Sequence, residues 1–513
     1  MTIQTIKEID SLKRVTPLML GTFFVAIASI IYELIIAGIS SYLLGNSVYQ
    51  FSITIGLFMT SMGIGALISK YIERDLITKF ILIEIALGLI GGTVAMILFY
   101  TYANTNIYVL IMYLAILVIG ILTGLELPLL TRVIKEYGEF KIILANVISI
   151  DYIGGLIGSV LFPLVLLPKF GFIKTSYIVG LLNLLVALVM LFKYREQIRF
   201  NKLIGAILIL IMIILTIGSF NVKDIENYLE QRLYQDNVVY SNQSKYQKIV
   251  ITKDREDIRL YLNGNIQFSS KDEYRYHEAL VHPALSLTGA KSRILVLGGG
   301  DGLVVRELLK YNEIRQIDLV DLDKTVTDLA QESRYFLQVN NDSLNNRKVN
   351  IYNQDAYQYI VSNNEKYDLA IIDLPDPNNE SLNKLYTVNF YNLIYQNLND
   401  RGVMVVQSTS PYFAPRAFWS IYNTIQKAGF NTKPYHAYVP SFGDWGFTLA
   451  TKNFKFSPHD IHIKVPTKFL SDEKVSALFE FGKDTMQFKS EGQVNTLINP
   501  SLIKEYYNAW KGY

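Results

Sequence analysis

Five aspartates follow closely on apolar runs in the second half of the chain. They are Asp301 in "ILVLGGGDGL", Asp321 in "QIDLVDLD", Asp355 in "VNIYNQDA", and Asp373 with Asp376 in "LAIIDLPDP". A carboxylate can hold an ammonium, accept a sugar hydroxyl or take a proton. Aspartates used only for caps and turns lack this regularity. Beside the first acid lies a glycine turn, Gly298, Gly299, Gly300 and Gly302. Such turns usually cradle phosphate, because backbone N–H groups and the following helix N-terminus favour negative charge. Asp301 sits inside the cradle. A carboxylate beside phosphate oxygens is repulsive in a low-dielectric cleft, so phosphate and dinucleotide ligands are disfavoured.

These acids need a scaffold that brings strand ends together. From residue 292 the pattern alternates strands ("RILVLGG", "QIDLVDLD", "KVNIYNQD", "YDLAIIDLPD", "GVMVVQS") with helices. The alternation predicts a doubly wound, Rossmann-like α/β domain with its ligand at the carboxyl ends of the strands. Asp321 lies twenty residues after Asp301, the distance at which such folds place an acid on ribose hydroxyls. S-adenosylmethionine fits an adenosine site but brings its own carboxylate toward Asp301. A donor with an adenosine, a sulfonium and a bare amine, such as decarboxylated S-adenosylmethionine, avoids that conflict. A polycationic second substrate accounts for Asp373 and Asp376. Read structurally, the glycines could serve tight strand–helix packing alone, and Asp376, before Pro377, a turn.

Ahead of this domain, residues 238–270 read as short strands with a primed hairpin turn at Asn263-Gly264. Further back the composition changes. Residues 1–220 hold 15 Lys/Arg and 11 Asp/Glu, while residues 221–513 hold 33 and 34. Apolar runs of roughly 17 to 27 residues, long enough to cross a bilayer, lie near 16–41, 49–69, 80–100, 107–131, 143–168, 174–192 and 203–220. The expected organisation is a transmembrane domain of about seven helices over 1–220 and a connector with a small β domain over 221–285. A catalytic α/β domain over 286–455 and an extension over 456–513 follow.

Lysines and arginines in alternate loops put the N-terminus in the cytoplasm under the positive-inside rule. Seven crossings would then place residues 221–513 outside. Either one run, 203–220 first, is re-entrant or interfacial, or the domain faces outward. Within the runs stand Glu33, Glu84, Glu126 and Asp151. A mid-membrane charge costs about 2.5 to 3.5 kcal/mol on insertion scales, so these acids face the bundle interior or line a cation path.

A net charge of +3 without a basic stripe argues against nucleic acid as a partner. The chain has no cysteine and five histidines, none in an HExxH pattern. His277 and His282 have no third ligand in view, and no metal is expected.

Taken in order, "YQKI", "LNGNIQFSSKDEYRYHEALVHPAL", "GGGDG", "VDLD", "NQDA", "DLPDP" with "LYTVNFY", and "VPSFGDWGFTLA" resemble the polyamine aminopropyltransferases, or spermidine synthases. The multi-span N-terminus and "TLINPSLIKEYY" are similar to the membrane-bound bacterial branch. The resemblance implies a multi-pass bacterial cell-membrane protein using putrescine and decarboxylated S-adenosylmethionine without cofactor or metal. It implies that Gln247, Asp321, Asp355 and Ala356 hold the nucleoside, and that His277 and Asp301 hold amine groups. Tyr276 would line the channel, Asp373 accept the proton, Asp376 anchor the distal ammonium, and Phe442 and Trp445 wall the slot. Two departures stand out: "DPNNE" in place of "DPxGP", and Asp321 in place of a glutamate. A methyltransferase, or a polyamine transporter or sensor with a binding-only soluble domain, are the alternatives. The sequence leaves homodimer or tetramer open.

Overall fold

The structure is a computed structural model describing residues 3–45, 47–135 and 140–510, with the backbone alone for 3–14, 140 and 380. The chain divides into two compact units, Met1–Val238 and Val239–Tyr513.

The first unit is helical. Helices occupy Ile3–Leu44, Ser47–Ser69, Leu76–Asn104, Tyr108–Ile134, Phe140–Leu161, Leu167–Lys193, Asn201–Phe220 and the polar Val222–Leu233. Among the described residues, six stretches can cross a membrane by length and composition. One of them, Lys141–Lys193, has 53 residues and holds two helical segments that meet at a kink. It covers the two apolar runs read separately from the sequence. The helix runs through a π turn at Phe162–Leu166, which contains Pro163, and breaks at Gly171, whose φ of 68° and ψ of −175° are non-helical. A proline that removes one N–H is a common cause of such irregularity.

Small residues let these helices approach closely. A Cβ on Gly65 would stand 2.1 Å from the Ile121 carbonyl, and one on Gly124 would stand 2.1 Å from that of Met62. Gly154 and Gly158 likewise face the first helix, while Gly155 faces open space. Of the four acids, Glu33, Glu84 and Glu126 are buried and Asp151 is partly exposed. Asn183 donates to Glu84 at 2.8 Å and accepts from Tyr32 at 3.0 Å.

The second unit holds two sheets. The smaller is antiparallel, in the order β1 (Asn237–Gln243), β2 (Lys248–Asp254), β3 (Asp257–Leu262), β4 (Asn265–Ser269). Asn263 (φ 50°) and Gly264 (φ 80°) close its last hairpin with two left-handed residues, as a primed turn requires. The larger sheet contains β5 (Arg293–Gly298), β6 (Gln316–Asp321), β7 (Val349–Asn353), β8 (Tyr367–Asp373), β9 (Leu398–Gln407), β10 (Asn431–Val439) and β11 (Gly443–Thr451). Their order is β10-β11-β9-β8-β5-β6-β7. β5 to β9 are parallel neighbours, and β10 and β11 add an antiparallel edge. β5 therefore lies between β6 and β8, where the strand order reverses. A doubly wound sheet opens its ligand crevice at that point.

Helix Glu273–Leu287 packs on this sheet through Ala279, Leu280, Val281, Ala284 and Leu285. Its buried Glu278 accepts backbone N–H groups of Lys468 (2.7 Å), Phe469 (2.8 Å) and Leu470 (3.1 Å) from the C-terminal extension. The extension ends in helix Ser501–Trp510, whose Leu502 joins the apolar core on the other face.

Candidate active site

The glycine turn exists because two strand ends almost touch. Gly298 pairs with Asp373 across β5 and β8. Its φ is +81°, and a Cβ there would stand 2.0 Å from the Asp373 carbonyl. Only glycine fits both conditions. At Gly300 a Cβ would meet the Asp321 carboxylate at 2.6 Å. The Gly300 N–H donates to Asp321 Oδ2 at 3.1 Å, and the Asp323 N–H to Oδ1 at 2.9 Å. Gly299 and Gly302 complete the turn, and Gly302 begins helix Leu303–Leu308. Burial pushes the Asp321 carboxyl up to about 6 against the pull of these two N–H groups.

Asp301, Asp373, Tyr276 and His277 converge beside that turn. Tyr276 donates to Asp373 Oδ1 at 2.5 Å. Asp301 Oδ1 accepts the Leu303 N–H at 2.9 Å. His277 Nδ1 faces two acceptors, the Glu273 carbonyl and carboxylate, each at 2.8 Å, so Nδ1 carries a proton. Burial opposes the charged imidazole. Its bond to Glu273 and the negative charges of Glu273, Asp301 and Asp373 outweigh burial, and the His277 pKa is raised. Glu273 is in turn clamped by Arg306 through two 2.8 Å bonds. Burial raises the Asp301 pKa and pushes Asp373 up to about 6, although His277 and Tyr276 pull Asp373 down.

Asp376 lies beyond, after β8. It accepts from Thr409 Oγ1 at 2.9 Å and from Gln407 Nε2 at 3.2 Å, and burial raises its pKa. Gln407 organises this end. Its Nε2 also donates to the Leu374 carbonyl (2.6 Å) and the Tyr386 hydroxyl (2.7 Å), and its Oε1 accepts from Trp445 Nε1 (3.3 Å). Phe442 bridges Trp445 and Tyr276, with ring centres 5.4 and 5.9 Å away. Asp272 holds the loop before it, accepting from Ser441 N and Oγ at 2.7 and 2.8 Å.

Gln247 reaches the end of β6, where its Nε2 donates to Asp323 at 3.1 Å beside Ser244 at 2.5 Å. Asp355 caps helix Ala356–Ser362, accepting from Tyr357 and Gln358 N–H groups, while its other oxygen pairs with Lys384 at 2.6 Å. Ala356 opens that helix and is buried. The Glu380 side chain of "DPNNE" lies outside the described residues. His282 stands apart, buried between Glu307 (2.9 Å) and Tyr311 (3.0 Å). Among the described residues no three acidic or histidine side chains form a metal-holding group.

Residues 273–459 match the spermine/spermidine synthase domain. The chain is 45% identical over 499 residues to a polyamine aminopropyltransferase of Oceanobacillus iheyensis, covering 95% of this chain and 96% of that one. A polyamine aminopropyltransferase of Leptospira interrogans is 41% identical over 502 residues, with 96% and 99% covered. The chain belongs to the polyamine aminopropyltransferases. Spermidine synthase from Thermotoga maritima is similar over 50% of this chain and 88% of its own, at 27% identity and a TM-score of 0.46.

An aminopropyltransferase is a transferase. Sequence reasoning missed the groups that set these acids: Glu273, Arg306, Asp323, Gln407 and Thr409. Glu273 and Arg306 are 33 residues apart and carry no spacing signal. Gln407 at the end of β9 was the one reachable from pattern, since it occupies the next strand end after Asp373.

Proposed function

We propose that this aminopropyltransferase moves the aminopropyl group of decarboxylated S-adenosylmethionine to putrescine, forming spermidine and methylthioadenosine. The observation that supports it most is Asp373. Its carboxylate feels the charge of Asp301, it stands three residues before Asp376, and burial raises its pKa to about 6, high for an aspartate. Gln247, Asp321, Asp355 and Ala356 bind the nucleoside, with Asp321 oriented toward ribose by Gly300. For adenine, Asp355 has to share its carboxylate with Lys384. Asp301 holds the donor ammonium. A cation bound there disfavours imidazolium, and neutral His277, with Nδ1–H on Glu273, presents the Nε2 lone pair to an amine.

Putrescine arrives as a dication. Asp376 anchors one ammonium and Asp373 takes a proton from the other as general base. The freed nitrogen lone pair attacks the methylene next to sulfur. The C–S bond breaks, its electrons neutralise the sulfonium, and a thioether leaves. The sulfonium is already a good leaving group, so this step calls for no cofactor, metal or covalent enzyme intermediate. Tyr276, Phe442 and Trp445 wall the slot and hold the attack geometry.

The six apolar stretches suggest membrane association. We read residues 1–220 as the embedded part of a multi-pass protein of a bacterial cell membrane. Residues 221–285 are connector and small β domain, 286–455 the catalytic domain and 456–513 the extension.

Asp373→Asn is expected to lower methylthioadenosine formation at least about a thousandfold while methylthioadenosine still binds. Wild-type-like turnover would refute the role of Asp373. S-adenosylhomocysteine formed from S-adenosylmethionine, with no product from the decarboxylated donor, would replace the reaction with methyl transfer.

A further inference from the structure

Just past β9 the chain takes a conformation that its residue types resist. Ser408, Thr409 and Ser410 are wholly buried, and Thr409 has a φ of +56°. A β-branched residue in the left-handed region is strained, and such strain persists only where the surroundings impose it. Here they do. The Ser408 N–H donates to the Gly446 carbonyl at 2.8 Å, and the Gly446 N–H donates to the Thr409 carbonyl at 2.7 Å. This pairing with β11 needs a glycine, since a Cβ on Gly446 would stand 2.8 Å from the Thr409 carbonyl oxygen and 2.5 Å from the Phe418 ring.

The pinned backbone has a purpose at its side chain. The Thr409 hydroxyl donates to Asp376 Oδ2 at 2.9 Å, while Gln407 Nε2 donates to Asp376 Oδ1 at 3.2 Å. The Thr409 N–H in turn donates to Gln407 Oε1 at 3.1 Å. Asp376, Gln407 and Thr409 thus form a closed ring in which each carboxylate oxygen is held by a different residue. Gln407 divides its amide among Leu374, Tyr386 and Trp445 as well. Thr409 has one side-chain donor, and it goes to Asp376. An ionised carboxylate oxygen with one donor still has a lone pair for another.

We propose that Thr409 is a positioning residue for the acceptor amine. Its constrained backbone aims the hydroxyl at Asp376 and fixes the rotation of that carboxylate, which leaves a lone pair on each oxygen for the far ammonium of the diamine. This rests on the polyamine-transfer reading above and assigns the part of that site which sets acceptor affinity. Thr409 acts through Asp376, neither taking a proton nor holding the donor.

The test follows methylthioadenosine formation by the full-length enzyme in detergent, with putrescine varied at saturating decarboxylated S-adenosylmethionine. Thr409→Val keeps the shape and loses the hydroxyl. It is expected to raise the putrescine KM about tenfold, the equivalent of one hydrogen bond to a charged group, with kcat and the donor KM within about twofold of wild type. Thr409→Ser loses the methyl group, keeps the hydroxyl and is expected to keep the wild-type putrescine KM. A residue that only filled space would give the reverse order. A wild-type putrescine KM in Thr409→Val overturns the proposal, as does a Thr409→Ser KM as high as that of Thr409→Val. An equal rise in the donor KM also overturns it. If Thr409→Val does not fold, Thr409→Ala, which lacks the hydroxyl too, carries the same expectation and the same refutation. A wild-type enzyme that forms no methylthioadenosine with putrescine would instead refute the transfer reading itself.

Discussion

Burial raises the Asp373 pKa to about 6, within reach of rate measurements, and His277 and Tyr276 hold it down. The Tyr276 hydroxyl, 2.5 Å from Asp373 Oδ1, favours the carboxylate over the acid. A hydrogen bond to a charged group is worth about 1.5 kcal/mol, or about one pKa unit. Tyr276→Phe therefore moves the Asp373 pKa upward, from about 6 to about 7. Only the ionised carboxylate accepts the amine proton, so kcat/KM for the putrescine dication falls tenfold per pH unit below that pKa. At pH 6 the ionised fraction drops from about one half to about one tenth, an extra loss of ~5-fold, while at pH 8 both enzymes are almost fully ionised. The assay is methylthioadenosine formation at limiting putrescine and saturating donor, between pH 5 and 9. A uniform loss at every pH, with the acid limb unmoved, would refute the reasoning. So would a shift of the limb toward acid.

Asp301→Asn is expected to weaken the decarboxylated donor about tenfold or more and methylthioadenosine hardly at all, because the product lacks the amine that Asp301 holds. Equal losses in calorimetric titrations of both ligands would remove that role. For topology, we propose that the catalytic unit lies on the cytoplasmic side with the N-terminus. Protease added to intact cells is expected to spare residues 239–513, and added to inverted vesicles to digest them. The opposite pattern would place the unit outside the cell.

The scaffold was legible wherever local chemistry repeats. Strand–helix alternation from residue 292 announces the parallel sheet, and Asn263-Gly264 announces the last hairpin of the small antiparallel sheet, because turn geometry restricts which residues fit. Asp301, Asp321, Asp373 and Asp376 stand out since each follows a strand. Their supports were not legible. Gln407 reaches Asp376 only through the pairing of β8 with β9, and Glu273 reaches Arg306 only through helix packing on the sheet. In the helical unit, hydropathy located the apolar runs, and the break at Gly171 falls between the two that lie in Lys141–Lys193, but the π turn near Pro163 depends on local backbone hydrogen bonding, which composition does not encode.

Glu278 ties helix Glu273–Leu287 to the extension through three backbone N–H groups. The same helix carries Tyr276 and His277 on its substrate side. For anyone building chimeras among these enzymes, residues 273–287 and 468–470 form one exchangeable piece despite the long separation in sequence. Swapping the first alone risks displacing a buried carboxylate from its backbone donors, at a cost of about 1.5 to 3 kcal/mol for each bond lost. The natural seam for recombination therefore falls outside the catalytic domain's own borders, on the far side of the tail that embraces it.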